Sequence, residues 1–532
     1  TTGFSLNHDE LTQIAAARME GGEIVDWYIT FVNPGKPIPE DVAHLTDIHD
    51  SDVTNAPLPA EALAGLVEFV GDAIVVAHNA GFDRNFTTKH PAGYPLLENT
   101  WVDSLDLSRI ALPRMKSHRL IDLVKAFGAP LSTHRADEDV AATCALFRIL
   151  LAAVEAMPPM LIREIAGMAE EAQWPTVTVF KYFADTLQEE RPLPFSLRSL
   201  RRDRVGKIDM RAKVDADDIA ADPARSMVFP TAETVRTAFT AEGAVGSLYD
   251  DYEQRQEQCA MAEAVRSAFA RSRNLVVEAG TGVGKSMAYL LPAALTARDN
   301  QINIGVATKT NALLDQLVYH ELPALAETLG GGLTYASLKG FSHYPCLHRI
   351  ERVTVDGPRM RTVGKEEHHQ APALAALLSF IEQTEYDDID NLKIDYRVLP
   401  RWAITTTSHD CLRRKCPFFG TSCFVHGARR RAEASNIVVT NHSLLFCDLA
   451  ADGGLLPPIR YWVVDEAHGA ENEARRAFSL ELAEEDILSL AHRVSSDEAR
   501  RNVFLRAERT VIAPANDSAA TLFYSLTTKA RH

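Results

Sequence analysis

The stretch Asn274–Ser286, NLVVEAGTGVGKS, decides the fold that we predict for the larger part of the chain. Its apolar run Leu275–Val277 predicts a buried parallel strand, and a glycine-rich turn follows that run. After the turn, Lys285 and Ser286 precede the apolar helical pattern MAYLLPAALTA. A strand, a glycine-rich turn ending in Gly-Lys-Ser and a helix are together typical of a phosphate-binding loop. Ala279 stands where this pattern usually has a glycine, which is a small departure.

The residue types in this loop suit a polyphosphate. Three glycines leave backbone N–H groups free to surround phosphate at a helix N-terminus, where the helix dipole favours anions; they are Gly280, Gly282 and Gly284. Lys285 adds a positive charge, and the hydroxyl of Ser286 is placed to coordinate magnesium. A glycine-rich turn that binds nothing is the alternative, and it is uncommon for the full pattern. The loop therefore predicts a site for ATP and Mg²⁺.

A second ATPase element is expected in Ile459–His468, IRYWVVDEAH. The apolar strand Tyr461–Val464 precedes Asp465 and Glu466. Another buried strand is predicted in Ile302–Lys309, between the phosphate loop and this element. An Asp at the end of a strand beside a phosphate loop holds magnesium through water, and an adjacent Glu can orient the attacking water. We therefore predict Asp465 as a metal and cofactor ligand and Glu466 as a catalytic residue.

Length and composition set the frame for these motifs. A chain of 532 residues suggests three or four domains, and 46% hydrophobic with 24% charged residues is typical of globular proteins with full cores. No apolar run is long enough to span a bilayer, and no basic segment followed by an apolar one opens the chain. Seven cysteines without a secretory context favour a reducing compartment. We expect a cytoplasmic protein without a membrane partner.

Four cysteines lie between the two ATPase elements. Cys411, Cys416 and Cys423 have the spacing Cys-x4-Cys-x6-Cys, and Cys346 lies far upstream. Four thiolates suit either a tetrahedral metal site or a cubane iron–sulfur cluster. The absence of a Cys-x2-Cys hook counts against zinc, and ordinary buried thiols are the remaining alternative. We predict that the four cysteines bind metal.

The N-terminal region carries a different chemistry. In Ala73–Asp83, AIVVAHNAGFD, an apolar strand leads into a turn and a helix that has Asp83 in its first turn. A carboxylate there faces the carboxyl edge of the strands, where α/β sheets bind their ligands. In Ser132–Leu151, STHRADEDVAATCALFRILL, His134 lies just ahead of a helix and Asp139 follows it by five positions.

These two segments resemble the second and third motifs of DnaQ-like 3′–5′ exonucleases of the DEDDh class. His44–Pro57 and Trp101–Ile110 resemble the segments between the motifs of that family. Such enzymes cleave phosphodiesters with two divalent ions, Mg²⁺ or Mn²⁺, held by clustered carboxylates. The resemblance implies Asp83 and Asp139 as catalytic metal ligands and His134 as the base that takes the proton of water.

The first motif of the family is Asp-x-Glu-Thr-Thr-Gly, and the chain begins at Thr1-Thr2-Gly3. We therefore expect an Asp and a Glu immediately upstream, and a chain that is a fragment at both ends. His134 and Asp139 have a simpler interpretation as a capped helix start with a surface histidine. A catalytically dead nuclease fold that serves as a DNA-binding or docking module is the alternative function.

The C-terminal part resembles the DinG/XPD group of superfamily 2 helicases. The resemblance rests on AGTGVGKS, VVTNHSLL (Val438–Leu445), the late Asp-Glu-Ala-His and the four intervening cysteines. It implies a 4Fe–4S cluster, ATP-driven unwinding of DNA, and an adenine contact in the segment that contains Arg255 and Gln258. It also implies a second RecA-like domain, which we expect beyond His532.

The sequence thus predicts an α/β protein with an RNase H-like exonuclease domain and a RecA-like phosphate-loop domain. The expected divisions are 1–155 for the exonuclease domain, 156–245 for a connector and 246–532 for the first RecA-like domain. The last of these includes an iron–sulfur insertion at about 340–430 and the start of a helical arch at about 470–532. DNA, single-stranded or as a tailed duplex, is the expected partner. A nuclease that is regulated by ATP without unwinding is the alternative.

Overall fold

The computed structural model describes most of the chain. The described residues are 1–130, 135–187, 194–205, 211–222, 226–280, 282–479 and Ser525, with the backbone alone at Asp203 and Arg204. They form two compact units. The larger unit comprises Thr1–Val306, Ala312–Thr440 and Pro457–Val463, and the smaller comprises Ala307–Asn311, Asn441–Leu456 and the described residues from Val464 onward. His134 and nearly all of the predicted arch lie outside the described residues.

The N-terminal region alternates strands and helices, and its strands form two separate pairs. Strands β1 and β2 are antiparallel, whereas β3 and β4 are parallel. Its elements in chain order are β1 (Gln13–Glu20), β2 (Glu23–Phe31), α1 (Glu40–Thr46), α2 (Asp50–Val53), α3 (Pro59–Val70), β3 (Val75–Ala77), α4 (Ala80–Thr87), β4 (Trp101–Asp103), α5 (Ser104–Ala111), α6 (Leu120–Phe127) and α7 (Ala136–Glu155).

Helix α3 illustrates how this region is held together. Proline at its first position suits the fixed backbone angle of a helix start, and Ala62, Leu63 and Leu66 recur on one face. That face is buried against the core residues Ile14 and Val32. Helix α7 packs on β1, so the first strand lies between this core and the helix that carries Asp139.

The described residues of the region predicted as a connector form five helices with buried faces. They are α8 (Pro159–Ala166), α9 (Val177–Thr186), α10 (Leu197–Val205), α11 (Ala216–Ala221) and α12 (Ala232–Ala238). Helices α8 and α9 pack on each other, and α9 also packs on α7. Leu161, Ile165 and Phe180 are fully buried there, while Val235 and Phe239 join the core around α14. The first two helices therefore extend the N-terminal region, and the last two extend the region that follows.

The remaining region is built around a four-stranded sheet with strand order β10-β5-β9-β6, in which β6 and β9 are parallel. Helix α14 lies against it with eleven consecutive buried residues. The elements are α13 (Gln256–Ala270), α14 (Lys285–Asn300), β5 (Ile304–Thr308), α15 (Asn311–Gln316), α16 (Leu322–Thr328), β6 (Tyr335–Ser337), α17 (Leu347–Asp356), β7 (Met360–Val363), β8 (Glu366–His369), α18 (Ala371–Gln383), α19 (Arg401–Ile404), α20 (Phe424–Glu433), β9 (Ile437–Asn441), α21 (His442–Ala450), β10 (Tyr461–Val464) and α22 (Ala470–Ala477).

One strand predicted from the sequence does not form. The run Leu275–Val277 has no strand structure, and Val276 is 97% exposed. Strand β10 is at the edge of the sheet and pairs with β5, and no described strand pairs with Leu275–Val277. A strand exists through hydrogen bonds to a neighbouring strand, and this apolar run has no such neighbour among the described strands. The prediction of a buried strand was wrong.

Among the described helices, none is by itself long and apolar enough to cross a membrane; the pair Ala136–Glu155 and Pro159–Ala166, bent by 112° between its members, meets the same criteria of length and composition.

Candidate functional site

Asp83 lies in the first turn of α4, just after the short strand β3. The turn between them contains Asn79, which has a left-handed backbone with φ of 73°. Burial, with smaller contributions from the charges of Asp103 and Asp139, raises the pKa of Asp83 to about 7. Asp103 and Asp139 therefore each lie within electrostatic reach of Asp83, although the three residues come from three separate segments of the chain.

Asp139 reaches this site on the first turn of α7. Its backbone N–H donates to the carbonyl of Arg135, which begins the hydrogen-bond ladder of the helix. The side chain of Gln13, on β1, also bonds to the start of α7. Its amide oxygen accepts from Ala136 N at 3.0 Å, and its amide nitrogen donates to Asp137 at 3.3 Å. Acidic residues are favourable at this helix end because they face its positive dipole.

Asp103 is the residue of this site that the sequence analysis missed. It ends β4, and β4 pairs in parallel with β3 so that Ala77 lies opposite Asp103. The carboxyl ends of parallel neighbouring strands lie at one edge of a sheet, which brings Asp103 to the turn that carries Asp83. An apolar strand ending in an Asp was the available signal, but the pairing partner could not be read from the segment alone.

The phosphate loop has the backbone that its glycines predict. Gly282 and Gly284 have φ of 82° and 80°, which other residues seldom adopt, and α14 begins directly afterwards at Lys285 and Ser286. Gly280 has open space on the side where a Cβ would stand. Thr281 lies outside the described residues. The N-terminus of α14 therefore directly follows an exposed glycine loop.

Arg255 and Gln258, which the resemblance implied as contacts to adenine, both bond to this loop. The guanidinium of Arg255 donates to the carbonyl of Gly282, and the amide of Gln258 donates to the carbonyl of Gly284 at 2.9 Å. Gln258 is 5% exposed, and a Cβ on Gly284 would lie 2.2 Å from its amide nitrogen. In this structure the two side chains hold the shape of the loop.

Asp465 and Glu466 belong to the smaller unit, whereas the phosphate loop belongs to the larger one. The backbone N–H of Asp465 donates to Ala307 at 2.9 Å, and its carbonyl lies 2.8 Å from His442 Nε2. Glu466 has a left-handed backbone with φ of 52°. A non-glycine residue in that region costs energy, and such strain is concentrated at functional turns.

The four predicted metal-binding cysteines lie in one region, and none is in a disulfide. Burial raises the pKa of Cys423 to about 11, and the charges of Cys346, Cys411 and Cys416 act in the same direction. These thiols are therefore within electrostatic reach of one another. Cys346 precedes α17 and Cys423 precedes α20, so two of them lie at helix starts.

Within the part of the chain that the structure describes, no three His, Cys, Asp or Glu side chains are arranged closely enough to hold a metal ion. This applies to the cysteines and to the carboxylates alike. The two sets nevertheless have donors of the appropriate kind, oxygen for Mg²⁺ and sulfur for iron or zinc. Asp83 and Asp139 also repel each other, which a divalent cation between them relieves.

Comparison with known families assigns the N-terminal region to a class. Residues 1–147 match the family model described as an exonuclease. This range includes Asp83, Asp103 and Asp139, so the carboxylate site lies inside the matched domain. An exonuclease domain at the N-terminus is thereby confirmed.

The relatives extend the resemblance to nearly the whole chain. The protein named 3′-5′ exonuclease DinG of Bacillus subtilis (strain 168) is 29% identical over 497 residues, covering 91% of this chain and 51% of that protein. The protein of the same name from Staphylococcus aureus (strain bovine RF122 / ET3-1) is 26% identical over 498 residues, covering 92% and 51%. These matches confirm the predicted resemblance to a DnaQ-like exonuclease joined to a DinG-type protein. The chain spans about half the length of the curated relatives it matches.

Among solved structures, Exonuclease X in complex with 5′ overhanging duplex DNA is 24% identical with a TM-score of 0.24. That match covers 29% of this chain and 87% of the other.

Proposed function

We propose that the N-terminal region is a metal-dependent 3′–5′ exonuclease acting on DNA, within a DinG-type enzyme. One observation carries this proposal. Asp83 and Asp139 match two motifs of the exonuclease family, and the charge of Asp139 helps to raise the pKa of the buried Asp83, which places the two residues within electrostatic reach of each other. Carboxylates that repel one another are a cost to the fold unless a cation neutralises them, so the arrangement suits Mg²⁺ or Mn²⁺.

Asp83 and Asp139 would hold the divalent ions, and His134 would accept the proton of the attacking water. The ions, once bound, lower the pKa of that water and stabilise the leaving oxygen.

An exposed aromatic residue gives this site a place for a nucleobase. Phe4 is 86% exposed, and its ring centroid lies 6.2 Å from that of Phe82, the neighbour of Asp83 in sequence. Phe82 in turn lies 4.8 Å from Phe86, which is buried. Stacking of a base on an aromatic ring contributes about 1–3 kcal/mol and does not depend on which base it is. We propose that Phe4 stacks on a base at the 3′ end of the strand.

The nuclease proposal is tested on a 5′-labelled single strand with Mn²⁺. Asp83→Ala should abolish shortening from the 3′ end, whereas Asp72→Ala, a change to an exposed residue ahead of β3, should leave it unchanged. Equal rates for wild type and Asp83→Ala would favour the alternative, a nuclease fold that only binds DNA.

For the C-terminal part we propose a RecA-like domain that binds ATP and Mg²⁺ at the phosphate loop. Lys285 and Ser286 would contact the phosphates and the metal ion, and Asp465 and Glu466 would serve the metal ion and the attacking water. The left-handed glycines and the helix start directly behind them support this proposal.

The DinG resemblance further implies ATP-driven DNA unwinding. The alternative is an ATPase that regulates the nuclease without unwinding. Strand displacement by the full-length protein on a tailed duplex separates these two functions. Displacement that requires ATP supports unwinding, and none at any ATP concentration leaves the regulatory function.

We also propose that Cys346, Cys411, Cys416 and Cys423 bind a 4Fe–4S cluster. Their thiols are unpaired and within electrostatic reach of one another. Protein purified without oxygen should be brown and contain about four iron atoms per chain by the cluster stoichiometry. A colourless protein with one zinc ion would instead assign these residues to a zinc site.

A further inference from the structure

We propose that Asp103 is a positioning residue of the nuclease centre, and that Thr176, from the region predicted as a connector, holds Asp103 in place. The inference rests on the proposed nuclease function, because it concerns the turn that carries Asp83. Neither residue matches one of the family motifs quoted above. Thr176 also lies outside residues 1–147, the range of the exonuclease family match.

Asp103 joins two structural elements through a single carboxylate oxygen. Its Oδ1 accepts from the backbone N–H of Asn79 at 3.0 Å and from that of Leu105 at 2.9 Å. The first bond fixes the left-handed turn four residues ahead of Asp83, and the second caps the start of α5. The direction in which α4 leaves β3, and with it the position of Asp83, therefore depends on Asp103.

A second pair of contacts fixes the same turn from its other side. His78 Nδ1 lies 3.0 Å from Ser104 Oγ, and His78 Nε2 lies 2.9 Å from the carbonyl of His118. Ser104 is fully buried, so this contact is protected from competing water. His78 and Asn79, the two residues that follow β3, are thus both bonded to the β4–α5 junction.

Thr176 holds that junction from behind. The backbone N–H of Asp103 donates to Thr176 Oγ1 at 3.0 Å, and Thr176 is 1% exposed. It directly precedes α9, and α9 packs on α7, the helix that carries Asp139. Thr176 and the helix α9 that follows it therefore contact the segment that carries Asp103 and the helix that carries Asp139.

Such support has a measurable effect because metal ligands need precise orientation. Removing a residue that orients a metal ligand typically costs about 10- to 100-fold in metal affinity or activity. Asparagine at position 103 retains an oxygen that can accept the two backbone hydrogen bonds, whereas alanine retains none. Comparing Asp103→Asn with Asp103→Ala therefore separates two effects on metal binding, that of the position of the turn and that of the charge of the carboxylate.

The test measures Mn²⁺ binding to the full-length protein without nucleotide, by the loss of the free Mn²⁺ signal in electron paramagnetic resonance. Asp103→Ala should weaken binding about 10- to 100-fold and Asp103→Asn only a few-fold. Thr176→Val should weaken it less than Asp103→Ala, since one indirect hydrogen bond is lost. Thr178→Val is the matched control, because the hydroxyl of Thr178 is buried without a hydrogen-bond partner among the described residues. Exonuclease rates for the same variants should recover at saturating Mn²⁺.

Several outcomes would overturn the inference. If Asp103→Ala binds Mn²⁺ as tightly as wild type, Asp103 has no positioning role. If Asp103→Asn is as weak as Asp103→Ala, the charge acts directly on the metal ion and the role is not positional. If Thr176→Val equals Thr178→Val, the connector helix does not support the centre. A wild-type protein that binds no Mn²⁺ and shortens no DNA would instead refute the proposed function, and the inference with it. Unfolding temperatures within a few degrees of wild type confirm that each variant is folded.

Discussion

The carboxylate site and the phosphate loop were both recognised from short motifs, yet the structure builds them differently. Asp83, Asp103 and Asp139 come from three segments that meet through strand pairing and helix packing. The phosphate loop is local, since Gly282, Gly284 and the start of α14 follow one another in sequence. The strand predicted ahead of the loop is the element that fails to form. A motif therefore predicts the local part of a site better than the part that depends on pairing or packing with a distant segment of the chain.

The largest expected effect is a loss of exonuclease activity without a loss of ATP binding. Asp139→Ala should lower exonuclease activity about a thousandfold, since metal-ion catalysis contributes several kcal/mol and each 1.36 kcal/mol is tenfold in rate. ATP binding should stay the same. The measurement is a time course of 3′-end shortening alongside a nucleotide-binding titration. A parallel loss of ATP binding would mean that the two sites are not separate.

The reciprocal change is Lys285→Ala. It should weaken ATP binding roughly 10- to 100-fold, because a hydrogen bond to a charged group contributes about 1.5–3 kcal/mol. Lys365→Ala, in the exposed hairpin of β7 and β8, is the control with the same loss of charge. Fluorescent-nucleotide titration measures the effect. Equal affinities for the two variants would contradict a phosphate site at this loop.

The carboxylate site should also make stability depend on pH. The pKa of Asp83 is raised from 3.8 to about 7, so between these values the folded protein binds a proton that the unfolded protein does not. Without metal ions, the free energy of unfolding should therefore fall as pH rises from about 4 to about 7. Burial raises the pKa of Asp106 to about 7 as well, and it acts in the same direction.

Thermal unfolding across pH, with and without Mn²⁺, measures this dependence. Mn²⁺ should raise the unfolding temperature more at pH 8 than at pH 5, where protons compete for Asp83. Asp83→Asn should make the stability depend less on pH, and the dependence that remains should come from Asp106. A stability that instead rises with pH over this range would contradict the burial of these two carboxyl groups.

The smallest expected effect concerns the failed strand. Val276→Asn should change the free energy of unfolding by less than about 0.5 kcal/mol, because exposed positions tolerate polar residues. Val306→Ala, in the buried strand β5, should cost roughly 1–3 kcal/mol. Urea unfolding compares the two variants. A cost for Val276→Asn as large as that for Val306→Ala would restore the buried strand of the original prediction.

The sequence predicted the parts of the molecule that short segments determine. The turn and helix around Asp83, helix α7 with Asp139 and the glycine loop could all be located from apolar pattern and turn residues. Asp103 was missed because its role depends on the pairing of β4 with β3, which neither segment reveals alone. The contact of Gln258 with adenine, implied by the family resemblance, stays a prediction, and no local signal indicated that its amide reaches Gly284.

The measurement that tests the central claim most directly is 3′-end shortening by the full-length Lys285→Ala protein, with Mn²⁺ and without nucleotide. The account predicts a rate within about twofold of wild type, because the carboxylate site is built by residues that do not depend on the phosphate loop. A rate as low as that of Asp83→Ala would contradict it, and would mean that the nuclease centre needs an intact phosphate loop to function.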